Sequence, residues 1–170
     1  MIAATDFRNA MSLLTSAVNV VTTSGASGDH GLTVSAVCSV SDSPASLLVC
    51  INQSSRSHDD FIQNKVLSVN VLAAQHEHLS NAFASSKFSA EERFKLGTWT
   101  RLKTGSPVLN DALVSFDCEV EHIQQMGTHS VLICRVVAIQ QGQVEQSDLA
   151  QEGLVYFNRA YHQVGQPEIV

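Results

Sequence analysis

The chain has 170 residues, of which 44% are hydrophobic and 15% charged, and its formal net charge is −6. A chain of this length can bury a sizeable core, and its composition excludes a disordered protein. We therefore predict a single domain over residues 1–170. The 10 lysines and arginines are scattered. Because binding of phosphate backbones requires a basic stripe, this pattern argues against nucleic acid or an anionic membrane as a partner.

The cysteines lack CxxC spacing, and each lies in an apolar or alternating segment: Cys38, Cys50, Cys118 and Cys134. Disulfides are possible on number alone, but buried reduced thiols in a cytoplasmic protein are the simpler interpretation. The first residues lack a basic region followed by an apolar core, so we expect no signal peptide. No apolar stretch approaches the length of a membrane span.

Apolar residues recur at helical spacing near the N-terminus, at Phe7, Ala10, Met11, Leu14 and Val18. This spacing predicts a helix of about three turns, with Thr5 or Asp6 as its N-cap. Strands are predicted over residues 18–23, 32–40 and 46–51, because β-rich segments there are separated by Gly, Ser and Pro clusters.

The middle of the chain predicts helices at 59–64, within 75–85 and at 91–94, with a strand at 66–72 between the first two. Residues 115–121 alternate between apolar and polar, which predicts a strand with one wet face. Residues 131–139 are almost continuously apolar, which predicts a strand buried on both faces, and 154–157 form one more strand. These elements show no regular βαβ alternation. We predict a mainly β fold with inserted helices, an antiparallel barrel or sandwich.

A polar loop, Asn52-Gln-Ser-Ser-Arg-Ser57, precedes the second predicted helix. Helix N-termini carry free N–H groups and a positive dipole end, so this loop suits a phosphate. Alternatively, Ser57 and Asp60 form a capping box, and the acidic first turn weakens the case for an anion. Both interpretations remain open.

The segment Thr33-Val-Ser-Ala-Val-Cys-Ser39 carries small and hydroxyl-bearing side chains. Such residues let a flat ring approach the backbone, although a scaffold strand with a solvated face has the same composition. His129 follows Gly127-Thr128 at a predicted hairpin turn, and it is equally compatible with ligand binding and with a structural role. His76 and His78 fall on different helix faces, so we expect no metal site there.

Motifs for a catalytic nucleophile or a Rossmann-type dinucleotide site are missing, since the sequence has no GxSxG, GxGxxG or Walker loop. Residue patterns alone therefore indicate only a β-rich domain with a possible phosphate loop.

Seven segments, taken in order, carry a family resemblance: 20–23, 31–44, 48–52, 67–72, 92–94, 127–129 and 154–157. In this order they resemble the short-chain flavin reductases, and most closely the reductase component of 4-hydroxyphenylacetate 3-monooxygenase. The similarity extends from about Phe7 to His162, nearly the whole chain.

The resemblance implies a homodimeric split β-barrel of the FMN-binding type that reduces FMN or FAD with NADH. Reduced flavin would then pass to a separate oxygenase that hydroxylates a phenol. The alternative class is a flavin-binding electron carrier or oxidase on the same barrel, which would not release flavin. In either case the cofactors supply the chemistry, and no protein acid, base or nucleophile is required.

The resemblance also implies site residues by position. The expected flavin-binding residues are Thr33, Val34, Ser35, Ala36, Val37, Cys38, Ser39, Cys50, Ile51, Asn52, Ser54, Ser55, Arg56, Ser57, His58, Ala84, Ser85, Arg93 and Phe94. The expected nicotinamide contacts are His129, Tyr156, Phe157, Arg159 and Tyr161. Two departures from the family pattern are Thr128, where an acidic residue is common, and Ala45, where a second proline is common.

Overall fold

The computed structural model describes residues 2–142 and 152–165. Its strands are β1 Ser16–Ala17, β2 Asn19–Gly25, β3 Gly28–Val34, β4 Val37–Asp42, β5 Ala45–Asn52, β6 Val66–Val71, β7 Trp99–Arg101, β8 Pro107–Leu109, β9 Val114–Met126, β10 His129–Gln141, β11 Gly153–Phe157 and β12 Ala160–Val164. Its α-helices are α1 Ala4–Met11, α2 His58–Asn64, α3 Glu77–Ala84 and α4 Ala90–Phe94, and a 3₁₀ turn spans Ala74–His76.

A seven-stranded antiparallel sheet, ordered β3-β2-β6-β9-β10-β5-β4, forms most of the fold. A three-stranded sheet β1-β11-β12 and a two-stranded sheet β7-β8 flank it. This arrangement confirms the predicted fold class, an antiparallel split β-barrel with inserted helices. Strands β3 and β4 follow each other in the chain but lie at opposite edges of the large sheet. The short connection between them therefore crosses from one edge to the other.

The predicted single strand 32–40 is wrong, because the chain turns at Ser35 and Ala36. The Val37 amide donates to the Ser35 carbonyl at 3.0 Å, and the Cys50 amide donates to the Ala36 carbonyl at 3.0 Å. These bonds end the pairing with β2 and start the pairing with β5. Periodicity could not detect the break, since apolar and small residues continue through it.

Helix α1 is shorter than predicted, and its N-cap position is Ala3 rather than Thr5 or Asp6. None of its residues is buried. Val18 lies outside the helix, because its amide donates to the Leu154 carbonyl and its own carbonyl accepts from Leu72. These bonds place Val18 between the flanking sheet and the large sheet. The apolar spacing that predicted three turns therefore combines an exposed helix with a buried strand.

Two apolar clusters form the core. The larger lies inside the seven-stranded sheet and includes Val49, Ile51, Phe61, Leu67 and Leu132, all fully buried. The smaller packs α3 and the flanking strands against β2 and β8. Burial of such side chains stabilises the fold by about 1.5–3 kcal/mol each.

The prediction that residues 131–139 are buried on both faces is wrong. Leu132 and Cys134 are buried, whereas Ile139 is 57% exposed. Register shifts between Ile133 and Cys134 and between Val136 and Ala138 bend the strand away from the core. All four cysteines are free; Cys118 and Cys134 are buried as predicted, whereas the prediction of a buried thiol is wrong for Cys38, which is exposed, and for Cys50, which is half-buried. Within residues 2–142 and 152–165, no helix is long and apolar enough to cross a membrane.

Candidate functional site

One cleft, termed the smaller cleft, has a volume of about 340 Å³ and lies between the polar loop 52–57, β3 and the end of α3. The residues that line it are Gly31, Leu32, Thr33, Asn52, Ser54, Ser55, Arg56, Ser57, Phe83, Ala84, Ser85, Ser86 and Arg93. The structure thus brings together nine of the residues that the family resemblance predicted at the flavin. They come from four distant parts of the sequence.

The polar loop owes its shape to Asn52. The Asn52 side-chain oxygen accepts hydrogen bonds from the Ser54 amide and the Ser54 hydroxyl, both at 2.9 Å, and its carbonyl accepts from the Ser55 amide at 3.0 Å. The capping-box interpretation of Ser57 is not supported, because the Ser57 side chain makes no capping hydrogen bond. Asp60 instead accepts from the Ser27 hydroxyl at 2.6 Å.

Two arginines give the smaller cleft its charge. The Arg93 guanidinium donates to the carbonyls of Ser85, at 2.5 Å, and Gly31, at 3.3 Å, while its buried Nε has no acceptor among the described residues. Burial, and then the positive charge of Arg56, lowers the pKa of Arg93. Arg56 donates to the Ser86 carbonyl. Two cations that repel each other, one with an unused N–H, fit a bound phosphate.

The larger cleft has a volume of about 930 Å³ and lies between α1, the β3–β4 connection and the β11–β12 hairpin. The residues that line it are Thr5, Arg8, Asn9, Met11, Ser12, Leu14, Ser16, Ser35, Ala36, Val37, Cys38, Leu48, Tyr156 and Arg159. Six of them were predicted by resemblance. The segment 33–38 borders both clefts, with Thr33 in the smaller one and Ser35 to Cys38 in the larger one.

The turn between β11 and β12 is held against α1. The Asn158 amide donates to the Ser12 carbonyl at 2.6 Å, and the Arg159 guanidinium donates to the Asn9 side-chain oxygen. Asn158 and Arg159 both have positive φ, 48° and 65°. A two-residue hairpin turn requires this conformation, which glycine adopts freely and an arginine adopts at a cost.

The arginines are distributed unevenly over the surface. Four of the six in the chain, Arg8, Arg56, Arg93 and Arg159, line the two clefts, and no Asp or Glu is among the lining residues. The other two are ion-paired: Arg101 with Asp29, and Arg135 with Glu119 and Glu121. In a chain of net charge −6, this places at the clefts positive charge that no carboxylate of residues 2–142 and 152–165 pairs with, and such charge attracts anionic ligands.

Several predicted site residues have side chains that line neither cleft. Val34 and Ile51 face the larger core cluster, since alternate strand residues point inward. Phe94 packs edge-on against Phe83 and Trp99, with centroid distances of 5.3 and 5.0 Å.

His58 is engaged elsewhere, because its Nδ1 contacts the Asp59 carboxylate and its Nε2 the Ser130 hydroxyl, both at 2.9 Å. Cys50 is half-buried, and desolvation raises the pKa of its thiol. Cys50 and the exposed Ser39 also line neither cleft.

The predicted nicotinamide contacts do not all meet. His129 begins β10 beside Asn52, at the smaller-cleft end of the large sheet, whereas Tyr156 and Arg159 belong to the flanking sheet. The Tyr161 hydroxyl lies 2.7 Å from the Ser80 hydroxyl, and its ring packs edge-on against Tyr156. Phe157 packs against His162. Of this set, only Tyr156 and Arg159 line the larger cleft.

Several lining residues of both clefts were not predicted from the sequence. Phe83 and Ser86 in the smaller cleft, and Arg8, Asn9 and Ser12 on or just after α1, carry no motif that would single them out. The absence of buried positions in α1 becomes visible only in three dimensions. Among the described residues, no group of three or more His, Cys, Asp or Glu side chains could hold a metal.

An antiparallel split barrel with a cationic cleft beside a larger cleft is compatible with a flavin-binding protein. The chain belongs to the flavin reductase like domain family, whose model matches residues 11–165. It is 52% identical over 157 residues to FMN reductase (NADH) RutF of Pantoea ananatis, covering 92% of this chain and 79% of that protein.

The fold agrees with solved structures. A protein from Haemophilus somnus, assigned as a flavin reductase, has a TM-score of 0.89 and 52% identity, covering 96% of this chain and 100% of that one. The styrene monooxygenase flavin reductase from Pseudomonas putida S12 has a TM-score of 0.82 and 26% identity, covering 95% and 99%. These names do not include the reductase of 4-hydroxyphenylacetate 3-monooxygenase, so that particular kinship stays a prediction.

Proposed function

We propose that this protein is an NADH-dependent flavin reductase that reduces FMN and supplies the reduced flavin to a separate oxygenase in the cytoplasm. The proposal rests chiefly on one observation: segment 33–38 connects a cleft lined by Arg56 and Arg93, which form no ion pair with the described residues, to a larger cleft. A mononucleotide flavin needs both, one for its phosphate and one for its ring. The 52% identity to an NADH-dependent FMN reductase supports the same conclusion.

The residues present fit the flavin. The unused N–H of Arg93, together with Arg56 and the hydroxyls of Ser54 and Ser55, would hold the phosphate in the smaller cleft. The ring would lie along Ser35 to Cys38, where small exposed residues allow close approach to the backbone.

When bound, the flavin supplies the redox chemistry, accepting a hydride from reduced nicotinamide. The protein must hold two flat rings in contact and keep the flavin phosphate in place. Ser35 to Cys38 form one wall for this stack, and Tyr156 faces them across the larger cleft. Hydride transfer between the two rings requires no proton from the side chains of that wall. The arginines act only through charge and hydrogen bonding.

The partner and the assembly are part of the proposal. Reduced flavin would pass to an oxygenase, with a phenol hydroxylase of the 4-hydroxyphenylacetate type as the candidate suggested by the sequence resemblance. A homodimer is supported by apolar side chains that are exposed on and just after α1 but do not line the larger cleft: Phe7 is 59% exposed and Leu13 60% exposed. Large apolar residues clustered at a surface are typical of an interface.

One anaerobic experiment tests the reductase proposal. Purified protein is mixed with NADH and excess FMN, and nicotinamide and flavin absorbance are followed together. We expect NADH and oxidised FMN to be consumed in equal amounts over many turnovers. The rate should saturate as the FMN concentration is raised. An electron carrier would instead retain flavin through purification and reduce only that stoichiometric amount. A protein that leaves NADH unchanged would refute the proposal.

A further inference from the structure

The larger cleft is lined by two arginines that have no role in the proposed flavin binding. Arg8 and Arg159 both line it, one on α1 and one in the β11–β12 turn that is held against α1. The Arg8 guanidinium has no hydrogen-bond or ion-pair partner within the part of the chain that the structure describes. Arg159 donates to Asn9, the residue that follows Arg8. Both cations therefore line the same cleft, and the Asn9 amide beside Arg159 is neutral.

We infer that Arg8 and Arg159 form the subsite for the diphosphate of NADH, with Asn9 positioning Arg159. This inference rests on the proposed function and identifies which residues hold the nucleotide. Under that proposal the flavin phosphate occupies the smaller cleft, at the other end of segment 33–38. An anion bound by Arg8 and Arg159 must then belong to another molecule. The other substrate of the proposed reaction is NADH, and its anionic group is the diphosphate.

The backbone at Arg159 supports a ligand-binding role. Its φ of 65° lies in the left-handed region, where glycine is the residue without a steric penalty. An arginine there strains the turn, and such strain is typical of functional positions. The guanidinium gains one hydrogen bond, to Asn9, and no carboxylate partner among the described residues. A purely structural turn would be better served by glycine.

The chemistry of the lining favours a dinucleotide. The two guanidinium groups provide paired donors for two phosphates, Ser12 and Ser16 offer hydroxyls, and Met11, Leu14 and Tyr156 provide apolar surface for a base. No carboxylate lies among these lining residues to repel the anion. A volume of about 930 Å³ is within the range of nucleotide-sized pockets.

The test compares NADH with reduced nicotinamide mononucleotide, which lacks the diphosphate and the adenosine half. FMN is the acceptor throughout. In Arg8→Gln and Arg159→Gly we expect the KM for NADH to rise roughly tenfold or more, as expected for a lost charge-assisted bond, while the KM for the mononucleotide changes less than about twofold. The glycine variant keeps the turn folded. Arg101→Gln is the matched control, because Arg101 lies outside both clefts.

Binding without turnover separates this inference from the proposed function. ADP-ribose carries the diphosphate but no nicotinamide, and its affinity is measured by calorimetry. We expect it to bind wild type and Arg101→Gln, and to bind Arg8→Gln and Arg159→Gly at least about tenfold more weakly. Failure of wild type to oxidise NADH would refute the reductase proposal alone.

The inference is overturned by any of three results. These are no ADP-ribose binding to wild type, equal binding to the variants, or equal increases in KM for both reductants. Since FAD also carries a diphosphate, its dissociation constant is compared with that of FMN. Weakened FAD binding with an unchanged KM for NADH would assign the arginines to FAD and would also refute the inference.

Discussion

Arg56→Gln should weaken binding of FMN without affecting binding of riboflavin. Arg56 lines the smaller cleft, and its one hydrogen bond among the described residues is to the Ser86 carbonyl. Glutamine keeps much of the side-chain length but removes the charge. Riboflavin has the same ring and ribityl chain as FMN but lacks the phosphate, so it reports any effect on the ring site alone.

The magnitude follows from the contacts. A hydrogen bond to a charged group contributes about 1.5–3 kcal/mol, which corresponds to roughly 10–150-fold in the dissociation constant. Arg56 is exposed, so solvent and salt screen its charge and the lower end applies, about tenfold. Arg93 cannot compensate, because its guanidinium is fixed by the Gly31 and Ser85 carbonyls.

The assay is titration of flavin fluorescence quenching at low and high salt. We expect the FMN dissociation constant of Arg56→Gln to rise about tenfold at low salt and less at high salt, with riboflavin unchanged. Arg101→Gln serves as the control, since its partner Asp29 lies outside the smaller cleft. Equal losses for FMN and riboflavin, or no loss for either, would show that no phosphate is bound beside Arg56.

Three further outcomes are expected. Asp117→Asn should lower the free energy of unfolding by about 2–3 kcal/mol in denaturant titrations. The buried Asp117 carboxylate accepts three hydrogen bonds, and the NH₂ group of an asparagine would face one of these donors instead of accepting from it. An unchanged unfolding midpoint would contradict this. Burial raises the pKa of the Cys118 and Cys134 thiols, the latter to about 12, so a thiol reagent at pH 8 should modify them only after denaturation. Since unfolded thiols ionise from about pH 8.5 while native Cys118 and Cys134 stay protonated, stability should also fall above that pH; rapid modification of Cys118 or Cys134 in the native protein, located by peptide mapping because Cys38 is exposed, would refute this. Gly31→Ala should destabilise the fold by about 1–3 kcal/mol and weaken FMN binding, because a Cβ there would lie 2.8 Å from the Phe83 ring; unchanged stability and unchanged FMN affinity would count against that close packing.

Local patterns were sufficient for much of the fold. Alternation in 115–121 and the β-rich runs near 20 and 69 predicted strands that the structure confirms as β9, β2 and β6. These predictions succeed because burial of one face imposes a period of two along a strand. Sequence patterns failed to predict where the chain stops pairing with one strand and begins pairing with another, as at Ser35 and Ala36. The turn there is fixed by a hydrogen bond from the distant Cys50 amide.

The sequence by itself determined the fold class, and the order of its motifs predicted loop 52–57 and segment 33–38 as flavin-binding segments. Only the tertiary structure decided which side chains share a cleft. It placed Arg93 beside Arg56, turned His58 towards Ser130, and separated His129 from Tyr156. It also showed that α1 brings Arg8 to the larger cleft. The physical reason is that a cleft is formed by contacts between distant strands and helices, which no local period encodes.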